Sequence, residues 1–160
     1  AGRSLRRVFA AGGDRAGRKD MGLASLLSGM ALANAGLGAV HGIAAPLGGM
    51  FAAPHGAVCA ALLPRVVETN VRALRERAPD SPSLARYKEA AALLGAPPDD
   101  LAGWLQTLVD DFGLPRLGAF GVGEQHLDEL ARKAARASSM RANPIELSEQ
   151  ELRRLVRAAL

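Results

Sequence analysis

Three things are scarce in this sequence. It holds one cysteine, Cys59, so no disulfide can form within the chain, and a reducing, cytoplasmic setting is the expectation. Aromatic residues make up only 4%, with a single Trp and a single Tyr, so Leu, Ala and Val must fill any core. That composition suits closely packed helices better than a sheet, which favours aromatic and β-branched residues. Long apolar runs are missing too: none reaches the ~20 residues of a membrane span without charge, Gly or Pro, which argues against a membrane protein. Val8–Ala11, after the basic stretch Arg3–Arg7, is too short for a signal-peptide core. The opening Ala1-Gly2-Arg3-Ser4-Leu5 reads like a helix entered partway along, as in a fragment of a longer chain.

A concentrated basic face is also lacking. The net charge is +4, but the arginines alternate with acids or with apolar residues at helical spacing. With so few aromatics for stacking, this is not the pattern of a nucleic-acid surface. At 49% hydrophobic and 22% charged residues, the 160-residue chain has the make-up of one globular domain, 1–160, since domains run to about 100–150 residues.

What is present is helical periodicity. Leu5, Val8 and Phe9 mark a short first helix stopped by Gly12-Gly13. Asp14 can cap a second, running to about Ala35, whose Gly22 and Gly29 each cost roughly 1 kcal/mol in a helix and so predict close packing by a neighbour. Next come an expected helix at Gly38–Ala45, a turn through Pro46–Ala53, and a helix opened by Pro54 and running to Leu63, with Pro64 kinking it or starting the next. Further helices are expected at Val71–Arg77, Ser83–Leu94, Asp99–Phe112, Glu124–Arg136 and Glu149–Ala159, and Ser148 with Glu151 forms a capping-box pattern. Gly113–Pro115 and Gly118–Gly123 read as loop. The fold class is therefore all-α, a helical bundle.

From Gly36 to Pro64 the chain carries no Asp, Glu, Lys or Arg, which predicts burial, and two histidines lie inside that segment. His41 and His55 fall on different expected helices and are candidate metal ligands, because neutral imidazole is a common donor to transition metals. Spacing alone also allows two buried histidines satisfied by backbone carbonyls. Cys59 stands one turn after His55; a His/Cys metal pair competes there with the plainer reading of a small buried hydrophobe. His126, among Glu124, Gln125, Asp128 and Glu129, reads as solvated, Asp99-Asp100 and Asp110-Asp111 as helix-end acids, and Trp104 with Leu101, Leu105 and Leu108 as a core stripe.

The letters around the histidines form a pattern. Gly36-Leu37-Gly38-Ala39-Val40-His41-Gly42, Pro46-Leu47-Gly48-Gly49, Pro54-His55-Gly56 and Leu62-Leu63-Pro64 together resemble the signature of the iron-containing alcohol dehydrogenase family. Ala24-Ser25 to Asn34-Ala35 resembles the long helix before that signature, and Asn143-Pro144 with the last helix resembles the family's C-terminus, so the likeness spans essentially the whole chain. It implies the helical C-terminal domain of a larger NAD(P)-dependent dehydrogenase acting on a small alcohol or aldehyde. The absent partner is an N-terminal nucleotide-binding domain, and a homo-oligomer is expected. In the family an Asp and three His hold a divalent metal, usually Fe²⁺ and sometimes Zn²⁺; His41 and His55 match two of those histidines. The Asp-x-x-x-His that carries the other two ligands occurs nowhere here, and a further family histidine is replaced by Ala45. The isolated chain is therefore expected to bind metal weakly and to be inactive. Rival readings are a maleylacetate reductase or glycerol dehydrogenase relative, and a non-catalytic helical interaction module.

Overall fold

The computed structural model describes residues 1–160 and contains eight α-helices and no β-strand. They are α1 (Leu5–Ala10), α2 (Arg15–Ala35), α3 (Ala39–Met50), α4 (His55–Arg77), α5 (Pro82–Leu94), α6 (Leu101–Asp111), α7 (Leu127–Ala135) and α8 (Glu149–Ala158), with 3₁₀ turns at Leu117–Phe120, Glu124–His126 and Ser138–Ala142. The all-α expectation holds.

Apolar spacing explains the bundle. Leu127, Leu130, Ala131 and Ala134 form one stripe of α7, and Leu152, Leu155, Val156 and Ala159 the matching stripe of α8 and its C-terminal residue; all are buried. Ile43 and Leu47 of α3 and Val58, Leu62 and Val66 of α4 complete this main core. Central α4 packs against α3, α5, α6 and α8. Its other side makes a smaller core with Ala91, Ala96, Leu101 and Leu105 through Val67. Asp14, Asp100 and Ser148 cap α2, α6 and α8 by accepting backbone N–H bonds, and Glu151 returns the bond to the Ser148 N–H at 2.8 Å, which completes the capping box.

Several expectations need correction. The turn through Pro46–Ala53 is instead the second half of α3, and the separate helices ending at Leu63 and starting at Val71 are one 23-residue helix. Pro46 and Pro64 each remove one ladder hydrogen bond, yet the helix continues because the residues beyond them, Leu47 and Val66, are anchored in the core. The stretch Gly118–Gly123 contains a 3₁₀ turn rather than open loop. The largest departure is α2. A side chain added at Gly22 or Gly29 would touch nothing within 4 Å, and Leu23, Leu26, Leu27 and Met30 are 53–62% exposed. No neighbour covers this face within the chain; Gly17, packed against Val8, is the helix's one buried residue.

Gly36, at φ 74°, ends α2 in the left-handed region that a side chain would strain, and α3 leaves at 97° to it. No single helix is long and apolar enough to cross a membrane.

Candidate metal centre

The charge-free segment splits by side. Ala39, Gly42, Ile43, Ala44 and Leu47 of α3 face the core, while His55, Gly56 and Leu63 are exposed, so the expectation of burial holds only for the core-facing positions. Lack of charge marks two surfaces here, one packed and one open.

His41 is the third residue of α3 and His55 the first of α4. Extended backbone at Phe51 and Pro54 links the helices and starts α4 where its first side chain reaches His41. The two rings lie 5.3 Å apart between centroids, tilted by 46°. Cys59, one turn further along α4, points the same way, with Sγ 3.4 Å from His55 Nε2. The donor atoms of all three side chains lie within 4.8 Å of one another. Tetrahedral bonds of about 2.0–2.3 Å place ligand atoms roughly 3.3–3.6 Å apart, so donor separations need to shorten by no more than about 1.5 Å to close on an ion. Two imidazole nitrogens and a thiol are a borderline-soft set that fits a divalent transition metal.

Burial, and then the neighbouring His55, hold the His41 imidazole below its ordinary pKa, so it is neutral at physiological pH, the form in which imidazole ligates. Burial pushes the Cys59 thiol up. A pocket of about 490 Å³ opens beside the cluster, lined by His41 and Cys59 and by apolar residues such as Val40, Leu63 and Val66.

The start of α3 is held by a polar knot. Gly38 offers no side-chain cap, and the Ala39 N–H instead donates to Asn143 Oδ1 at 3.1 Å. Asn143 and Asn70 exchange amide bonds of 2.9 and 3.1 Å, Asn70 Nδ2 also donates to the Tyr87 hydroxyl at 3.1 Å, and Asn143 Nδ2 donates to the Ile145 carbonyl at 2.7 Å. Asn70, 2% exposed, thus ties α4 to α5 and to the segment before α8, and the knot meets α3 at Ala39, two residues before His41. In the sequence Asn143-Pro144 stands out only as part of a resemblance, and Asn70 hardly at all. Its one signal was a lone amide on the apolar face of a helix.

The other candidates lie elsewhere. His126 is half-buried rather than solvated: its Nδ1 accepts the Gly123 N–H at 3.0 Å, and its ring meets the edge of Phe51 at 4.9 Å. The acids around it had suggested water, but the 3₁₀ turn folds the ring inward. On α6 the buried stripe is Leu101, Leu105 and Val109, with Trp104 and Leu108 only half-buried. Asp111 pairs with Arg6 at the surface.

Comparison with known proteins adds the family. The model described as "Fe-containing alcohol dehydrogenase family, C-terminal" matches residues 2–160. The chain belongs to this family. It is 36% identical over 159 residues to a 1,3-propanediol dehydrogenase of Klebsiella pneumoniae, covering 98% of this chain and 41% of that protein. It is 34% identical to long-chain-alcohol dehydrogenase 1 of Geobacillus thermodenitrificans, covering 98% and 40%. The crystal structure of a 1,3-propanediol oxidoreductase superposes with a TM-score of 0.88 at 32% identity, over 99% of this chain and 42% of the other. The chain thus spans about 40% of the length of the relatives it matches.

The same residues do not suit a dinucleotide. With no strand, the chain's glycines form no strand–turn–helix cradle for a pyrophosphate.

Proposed function

We propose that residues 1–160 are the helical, metal-binding domain of a longer NAD(P)-dependent alcohol dehydrogenase, and that His41 and His55 are ligands to its divalent metal. The observation that carries the reading is the meeting of two imidazoles, from separate helices, within a space the size of a metal site. Membership of the family and the share of the relatives' length that is matched support the same reading.

When bound, the metal, Fe²⁺ or Zn²⁺, supplies a Lewis acid for an alcohol or aldehyde oxygen. His41 of α3 and His55 of α4 would hold it through their ring nitrogens. The Asn143–Ala39 bond fixes the start of α3, the helix that carries His41 two residues further on. The apolar pocket beside His41 suits the carbon chain of a small alcohol or aldehyde. NAD(P) binds in a nucleotide-binding domain outside these residues, so the chain alone has no turnover. The whole enzyme is a cytoplasmic homo-oligomer in this reading.

Titration of the 160-residue chain with Zn²⁺, followed by calorimetry, tests the ligands. Wild type is expected to bind one equivalent, and His41→Ala or His55→Ala to weaken binding by more than about 100-fold, the scale of a ligand's share of a structural zinc site. Unchanged affinity in both variants would favour a helical interaction module instead. Steady NADH production from the isolated chain, NAD⁺ and 1-propanol would refute the inactivity.

A further inference from the structure

We propose that Cys59 is a third ligand, completing a His41–His55–Cys59 site that lets this chain by itself hold one thiophilic divalent cation such as Zn²⁺. The inference rests on the reading of His41 and His55 as metal ligands and adds to it a sulfur donor, a ligand count and a metal preference.

Geometry supports it first. His55 and Cys59 stand one turn apart on α4, and their Nε2–Sγ separation of 3.4 Å matches the roughly 3.3–3.6 Å edge of a tetrahedral zinc site. His41 approaches from α3, so the donors come from two helices and converge, rather than lying along one surface. Three protein ligands with one position open is the pattern of catalytic zinc centres, whereas two imidazoles alone fall short of it.

The donor set favours a thiophilic ion. Cys59 is half-buried and forms no disulfide, and its hydrogen-bond partner is the His55 ring. No carboxylate belongs to the cluster, so nothing hard competes for the ion. An N₂S donor set ranks Zn²⁺ and Co²⁺ above Mn²⁺ and Mg²⁺. On binding, the S–H bond of Cys59 breaks, its proton passes to solvent and the thiolate donates its electron pair to the cation; no group is oxidised or reduced.

Anaerobic titration with Co²⁺ tests this directly, because thiolate ligation produces an intense near-ultraviolet charge-transfer band. Cys59 is the sole cysteine of the chain, so the band can come from no other residue. Wild type is expected to develop the band to saturation at one Co²⁺ per chain. Cys59→Ala, with its fold checked by circular dichroism, should lose the band and bind Co²⁺ at least tenfold more weakly. Histidine-dependent Co²⁺ binding without the band, read on wild type alone, overturns the role of Cys59 and leaves the two histidines standing. No Co²⁺ or Zn²⁺ binding at all overturns both.

Discussion

Asn143 is the residue on which three segments of chain converge. Its amide accepts from Ala39 N–H at the head of α3, exchanges bonds with Asn70 of α4, and donates to the Ile145 carbonyl. Removing it orphans the Ala39 N–H and the Asn70 Oδ1 together, each worth about 1–3 kcal/mol when left unsatisfied. Asn143→Ala and Asn70→Ala are each expected to cost about 2–3 kcal/mol in urea denaturation. The double variant should cost less than their sum by roughly 1 kcal/mol, because the two amides serve each other. Strict additivity would show that they act separately. Neither residue is legible as a partner from its spacing, since the pairing is set by where α4 and the segment before α8 cross.

At the scale of elements, the starts of α2, α6 and α8 follow from local capping chemistry, whereas the continuation of α3 and α4 past their prolines follows from packing. The Ser148–Glu151 box was readable because every group in it lies within one turn. Burial raises the Glu151 carboxyl, but the Ser148 N–H and hydroxyl and the charges of Arg77 and Arg154 outweigh that and hold it below its ordinary value of 4.5. A carboxyl with a lowered folded pKa stabilises the fold above its unfolded pKa and loses that contribution as pH falls through the folded value. Glu151→Gln should therefore lower stability by about 1 kcal/mol at pH 7. The gap to wild type should close below about pH 4, where the unfolded carboxyl is protonated and the folded one follows. Thermal melts across that range check it; a gap independent of pH would mean that shape, not charge, makes the cap. The prolines misled by the same logic in reverse. Pro46 and Pro64 weaken helices locally, but side chains buried beyond them hold α3 and α4 together.

Seen whole, the molecule has a packed bundle and one helix with an uncovered apolar face. Leu23, Leu26, Leu27 and Met30 project from α2 with nothing over them. A row this size in water favours association. The isolated chain is expected to self-associate through α2 on sedimentation at micromolar concentration. Leu23→Glu with Leu27→Lys, an i,i+4 pair that preserves the helix, should shift it toward monomer. A monomeric wild type would show that the row is tolerated as it stands. The close packing read from Gly22 and Gly29 failed because small residues record that space is needed, not which chain fills it.

By itself the sequence determined that the chain is all-helical and which family it belongs to. Periodic apolar stripes, caps and a dense set of Gly, Pro and His letters are local, and each acts within a few residues. Only tertiary structure decided that His41, His55 and Cys59 meet, that Asn70 and Asn143 lock α3 in place, and that α2 stands bare. Those outcomes depend on how helices cross, and crossing is set by the summed burial of side chains far apart in the chain.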